Sequence, residues 1–256
     1  MGPHGNRRAP VHAAVAYGTA ELRPDPARPA GWTLLVDDVP QSYVDLADPE
    51  HLEFPYVRML GKVVRRSRAE RVLHLGGGGL TLPRLLHHRR PATAQRVIER
   101  DPQLIELVRR FLPFPSSVDV RIGDARQAVQ DAPAGGYDLI ISDVFEGAAM
   151  PREVGTGGFA AAARRALTPD GLLAVNLTDV PPLAHTRVQA ATFRSVFGDA
   201  ALLGDPAIFR GRRAGNIVLL AGNLPMIKSD KHEQAVGGND LAEFIGGAKA
   251  RLDEPA

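Results

Sequence analysis

The sequence predicts an α/β protein: a mostly parallel, twisted sheet with helices on both faces, joined to a small N-terminal β-hairpin region. Three observations predict it. From residue 70 onward, short apolar runs alternate with helix-compatible segments, the pattern of a parallel sheet wrapped by helices. The run Val72–Leu75 enters the glycine turn Gly76–Gly79, and the next run ends in Glu99, 23 positions after Gly76 (99 − 76), close to the ~20-residue offset at which an acid can grip a ribose diol. Residues 11–47 instead show strand-like runs around the turn candidate Asp37-Asp38.

Val11–Leu22, Trp32–Val36 and Val39–Leu46 read as strands. Asp48-Pro49-Glu50 is expected to open a helix reaching about Arg66, with Asp48 as N-cap and Pro49 in the first turn. Strands follow at 71–75, 95–99, 118–122, 137–142 and 171–177, with a late strand at 217–221. Helices are expected at 80–88, 102–111, 125–131, 157–167 and 185–196, and a terminal helix at 240–250. Lys228–Gly238 is polar and reads as a loop. The expected division is a disordered lead (1–10), the hairpin region with its linking helix (11–66), a nucleoside-binding domain (67–224), and a polar loop with a terminal helix (225–256).

Composition bounds the chemistry. With 256 residues and an apolar fraction of 44%, the chain can bury a substantial core. There is no cysteine, which excludes disulfides, zinc thiolates and a thiol nucleophile. The formal charge is only +2 and aromatics make up 5%, a poor match to a nucleic-acid surface. No apolar run approaches the ~18 residues of a membrane span, and the N-terminus lacks a secretory h-region. The expectation is a cytoplasmic protein with no nucleic-acid or membrane partner and no metal, since His and acidic residues do not cluster at ligand spacing.

Ligands of such sheets sit beyond the carboxyl ends of the strands. Four strand ends here carry chemistry. Gly76, Gly77 and Gly78 allow a sharp turn and close approach to a ligand. Glu99 can accept both ribose hydroxyls, whereas Asp101 better suits capping the helix from Pro102. Asp124 can accept from an adenine amino group beside the Ala125 amide, or cap the helix from Ala125, or both. Asp143 emerges from a buried strand where the reactive end of a cofactor would lie, with Glu146 on the following loop. Together they suit an adenosine carrying a sulfonium. A nicotinamide dehydrogenase fits poorly, because the glycine spacing is wrong. His74, inside a strand, reads as a core residue, and His87 and His88 as surface groups.

The ordered set Gly76-Gly-Gly78, Glu99, Gly123-Asp-Ala125 and Ser142-Asp143 resembles the spermidine synthase (polyamine aminopropyltransferase) family, a branch of the Rossmann-like class I S-adenosylmethionine methyltransferase fold. Leu34–Ser42 is similar to the family's strand–turn–strand segment ending in Gln-Ser, and Glu53-Phe-Pro-Tyr56 to its Glu-Phe-x-Tyr helix. The similarity covers roughly residues 30–222. It implies that Gln41 contacts the methionine-derived tail, Glu99 the ribose, and Asp124 and Ala125 the adenine. It further implies that Asp143 orients and deprotonates the attacking amine and that Tyr56 and Glu146 bind substrate. The implied cofactor is S-adenosylmethionine or its decarboxylated form, the partner a small-molecule acceptor such as an amine, and the assembly a homodimer.

Departures from the family pattern point one way. The family's Gly-Gly-Gly-Asp-Gly-Gly loop has Gly79 here at the Asp position. Val57 and Arg58 follow Tyr56, where the family has His or Gln and then Glu. The family's polyamine-enclosing segment is replaced by Phe209-Arg-Gly-Arg-Arg-Ala-Gly-Asn216. Fewer acids and more guanidiniums make the site less suited to a polyamine, and Arg58 is expected to pair with a carboxylated tail or an acidic acceptor. Three functions therefore stand side by side: an aminopropyltransferase, a methyltransferase using intact S-adenosylmethionine, and a catalytically silent nucleoside-binding module.

Overall fold

A computed structural model describes residues 8–147, 149–226 and 232–253. The chain opens with a four-stranded antiparallel sheet, β1 (Val11–Val15), β2 (Gly18–Pro24), β3 (Gly31–Val36) and β4 (Val39–Asp45), in sequential order. Asp37 and Asp38 make the β3–β4 turn with φ of 46° and 63°. Both are left-handed, as a two-residue hairpin of matching twist requires, and Asp tolerates that conformation.

The linking helix α1 runs Pro55–Arg66, not from Asp48. Phe54 precedes a proline and is held extended (φ −80°, ψ 138°), so the helix cannot begin earlier. Asp48 instead accepts from Glu50 N at 3.2 Å and from Arg28 Nη2 at 3.1 Å, closing a local turn.

The second sheet comprises β5 (Arg71–Leu75), β6 (Ala94–Glu99), β7 (Val118–Ile122), β8 (Tyr137–Ser142), β9 (Leu167–Asp179), β10 (Ala200–Gly204), β11 (Gly215–Gly222) and β12 (Gln234–Gly237). Interleaved are α2 (Thr81–Arg89), α3 (Pro102–Phe111), α4 (Ala125–Asp131), α5 (Gly157–Ala166), α6 (Ala184–Phe197), α7 (Pro206–Phe209) and α8 (Gly238–Ile245), with a 3₁₀ turn at Arg152–Gly155. The strand order is β12-β10-β11-β9-β8-β5-β6-β7. The five strands from β9 to β7 are parallel, and β10, β11 and β12 add antiparallel pairings at one edge. The expected fold class is thus the observed one.

Within 228–238, Lys228–Lys231 lie outside the described residues, as do residues 1–7 of the lead, and Gln234–Gly237 is a strand rather than a loop. Its four residues gain order by pairing with β10, itself unforeseen: Ala-Ala-Leu-Leu-Gly is too short for periodicity to separate strand from helix.

Strand register sorts the core. Val72 and His74 share one face of β5 with Ile141 of β8, under α1 and α2, while Leu73 and Leu75 face α4, α5 and α6. The segments Leu139–Ser142 of β8 and Gly171–Leu177 of β9 are buried on both faces, which is why they read as largely apolar runs. The N-terminal sheet packs Leu22, Leu34 and Val44 against Val97 and the apolar side of α3. Sequence order reverses at β5, with β6 on one side and β8 on the other, which makes the crevice above β5 the place for a ligand.

Candidate active site

The glycine turn follows β5. Gly76 has φ of +87°, and a Cβ there would sit 2.3 Å from the Asp143 carbonyl oxygen, so the turn can lie against the end of β8 only with glycine. Glu99 holds the turn from the other side. Its Oε2 accepts from Gly77 N at 2.8 Å and Gly78 N at 3.3 Å, and its Oε1 from Asp101 N at 3.1 Å. Asp101 Oδ1 accepts from Leu104 N at 2.9 Å and caps α3. Asp124 is exposed beside Ala125 and caps α4, accepting from Gln127 N at 2.8 Å. Three adjacent strands, β5, β6 and β7, therefore end in the glycine turn, Glu99 and Asp124 along one rim.

The other half of the crevice is a cavity walled by Ser42, Tyr56, Val57, His74, Thr81 and Asp143, among others. Asp143 is half-buried, and burial pushes its carboxyl up to about 6, opposed by the Asn176 amide that donates to Oδ1 at 2.8 Å. Asn176 is 1% exposed and its own Oδ1 accepts from Asn216 Nδ2 at 3.1 Å, which turns its NH₂ toward Asp143. Asn216 Nδ2 also donates to Thr178 Oγ1 at 3.0 Å. The Tyr56 hydroxyl is held protonated by burial and by the negative charge of Asp143. A carboxylate of this kind, poised near neutrality and held by a fixed donor, can accept a proton.

Not every expected residue lies on the cavity wall. Gln41 is half-buried at a bulge, where β4 slips by one against Leu34 and Leu35, and its neighbour Ser42 takes the wall position. Glu146 is exposed on the loop after β8, pairs with Arg100 at 3.4 Å and is not among the residues that wall the cavity. Arg100 in turn stacks on Tyr17, at the tip of the β1–β2 hairpin. The expected role of Arg58 is overturned: it is exposed and donates to the carbonyls of Leu52 and Glu53, because its place in the first turn of α1 turns it back along the entering chain. Arg210, Arg212 and Arg213 lie at the carboxyl edge of the sheet, where Arg213 pairs with Asp205 at 2.7 Å.

Sequence reasoning passed over Asn176, noted Val57 and Asn216 only as departures from the family pattern, and treated His74 as core. A signal existed for Asn176, a lone amide inside the apolar run Leu172–Leu177. Among the described residues no group of three or more His, Asp or Glu stands placed to hold a metal ion, and no helix is long and apolar enough to cross a membrane.

The sequence and the fold have known relatives. Residues 53–193 match the spermine/spermidine synthase domain, and the chain belongs to that family. Among its relatives is a polyamine aminopropyltransferase of Vibrio vulnificus, 31% identical over 196 residues, covering 74% of this chain and 62% of the relative. The chain thus spans less than two thirds of that relative. An N-terminal histidine N-methyltransferase of Emericella nidulans is 30% identical over 150 residues, 57% of this chain and 26% of the other. The crystal structure of a probable spermidine synthase from Corynebacterium glutamicum superposes with a TM-score of 0.89 at 28% identity, covering 97% of this chain and 98% of that one.

Proposed function

We propose that the protein is a transferase that binds decarboxylated S-adenosylmethionine across the ends of β5 to β8 and passes its aminopropyl group to an amine. The observation that carries this reading is Asp143: a half-buried carboxyl raised to about 6, on the wall of a cavity that begins at the glycine turn. The residues suit the nucleoside. The Gly76 backbone has no room for a side chain, and Glu99 and Asp124 present carboxylates on the neighbouring strand ends. Glu99 has lone pairs beyond those its amide partners use, and these take the ribose hydroxyls. Asp124 and the Ala125 amide take the adenine edge, and Ser42, in the place expected of Gln41, borders the tail.

When bound, the sulfonium supplies a carbon activated toward displacement, with a neutral thioether as leaving group. Asp143 orients the ammonium of the acceptor and takes its proton, freeing the nitrogen lone pair to attack. Asn176 keeps the accepting oxygen aimed. Tyr56 and Val57 exclude water from one side. Holding the amine and the carbon in line supplies much of the acceleration.

A second reading, methyl transfer from intact S-adenosylmethionine, is favoured by one feature. The family's acid in the glycine loop is Gly79 here, and a Cβ there would meet Val44 Cγ2 at 2.9 Å and Ser42 Cβ at 3.1 Å. No carboxylate fits at that point to hold an aminopropyl ammonium. The test is incubation with either cofactor and a panel of amines, followed by mass spectrometry. Methylthioadenosine is expected from the decarboxylated cofactor. S-adenosylhomocysteine from the intact one would replace the first reading by the second, and saturable methylthioadenosine binding without turnover would leave a silent nucleoside-binding module.

A further inference from the structure

His74 is only 3% exposed and sits among apolar strand residues, where leucine would pack without polar cost. It nevertheless walls the same cavity as Asp143 and Tyr56. The register explains how. His74 pairs with Ile141, and Asp143 lies two residues beyond Ile141, so both side chains belong to one face of the sheet. Their backbones stand about 7 Å apart along the strand and about 5 Å across it.

The ring is also held in one state. Gln95, 4% exposed on β6, donates its Nε2 to the Pro83 carbonyl at 3.2 Å. Its Oε1 therefore faces His74 Nε2, at 3.0 Å, and can only accept. Nε2 must carry the proton. Burial pushes the imidazole down to about 4, so the ring is neutral and Nδ1 is a hydrogen-bond acceptor. One buried amide side chain on the adjacent strand and a carbonyl of α2 thus fix one tautomer of the ring on the cavity wall.

We propose that His74 is the specificity residue of the acceptor subsite, receiving a neutral hydroxyl or N–H at the end of a short acceptor whose amine lies at Asp143. This rests on the transferase reading above. Among the described residues that wall the cavity, Asp143 is the one carboxylate. A second ammonium beside a neutral imidazole would be buried without a counter-charge, which is costly. A hydroxyl there satisfies Nδ1 and adds no charge. The acceptor class is a short amino alcohol rather than a diamine.

Calorimetry tests this with defined probes. Methylthioadenosine is titrated first into the wild type, His74→Leu and His74→Gln, with expected affinities within about threefold of one another. The protein saturated with methylthioadenosine is then titrated with 4-aminobutan-1-ol, butylamine and 1,4-diaminobutane. The wild type is expected to bind the amino alcohol about tenfold or more tightly than the other two, the loss expected when a buried acceptor goes unpaired. His74→Leu should bind the amino alcohol no better than butylamine, with His74→Gln between; if the leucine variant does not take up methylthioadenosine, the glutamine variant carries the comparison. Preference for 1,4-diaminobutane, or an order unchanged in the variants, overturns the proposal while leaving the transferase reading intact. Weaker S-adenosylmethionine binding in His74→Leu with methylthioadenosine unaffected also overturns it, by assigning the ring to the cofactor tail. Failure of the wild type to bind methylthioadenosine overturns the transferase reading itself.

Discussion

The two halves of the crevice are built differently. The rim over β5, β6 and β7 is made by successive strand ends, each placing its own residue: the glycine turn, Glu99, Asp124. The cavity side is assembled from far parts of the chain. Ser42 comes from the N-terminal sheet, Tyr56 from α1, His74 from inside β5, and Asn176 and Asn216 reach Asp143 through β9 and its antiparallel partner β11. Local sequence specifies the first half, and tertiary register specifies the second. On the proposed function, the rim takes the nucleoside and the cavity the reacting groups.

The comparison can be broken by substitution, and the largest effect belongs to Asp143. Asp143→Asn should lower turnover about 10²–10⁴-fold, the contribution of a general base, with methylthioadenosine affinity nearly unchanged. Equal losses in both would place Asp143 on the rim instead. Glu99→Ala should do the reverse and weaken methylthioadenosine binding by roughly 10–100-fold, since hydrogen bonds to a charged group are worth about 1.5–3 kcal/mol.

Stability against pH separates the halves of the cavity itself. His74 has a folded pKa of about 4, below its unfolded 6.5, so its contribution is complete above 6.5 and is lost as pH falls toward 4. The loss amounts to about 3 kcal/mol at most. Asp143 has the opposite sign: its folded value of about 6 lies above 3.8, so its ionisation weakens the fold as pH rises from about 4 to 6. Denaturant melts across pH 4–7 should show a shallower acid loss in His74→Leu and a steeper one in Asp143→Asn. The smallest effect belongs to Asn176→Leu, which removes the donor that holds the carboxyl down. The acid limb of kcat/KM should then move above about 6.

Legibility in the sequence follows the same division. The strands at 71–75, 118–122 and 137–142 and the helices at 102–111 and 125–131 were readable to the residue, because glycine, proline or a capping acid bounds most of them. Asp48 suggested a helix start as good as any, yet Pro55, through its restraint on Phe54, sets the start. Arg58 was legible as a charge but not as a partner, since its bonds go to backbone carbonyls that any sequence supplies. His74 looked like an ordinary strand residue and Asn176 like no more than a lone amide in an apolar run, and only the register between β5, β8 and β9 puts both on the face of Asp143.

A crystal structure with methylthioadenosine bound measures the central claim most directly. The ribose should meet Glu99, the adenine should lie against Asp124 and Ala125, and the sulfur should point into the cavity beside Asp143. A nucleoside seated elsewhere, or one whose sulfur faces away from Asp143, would contradict the account.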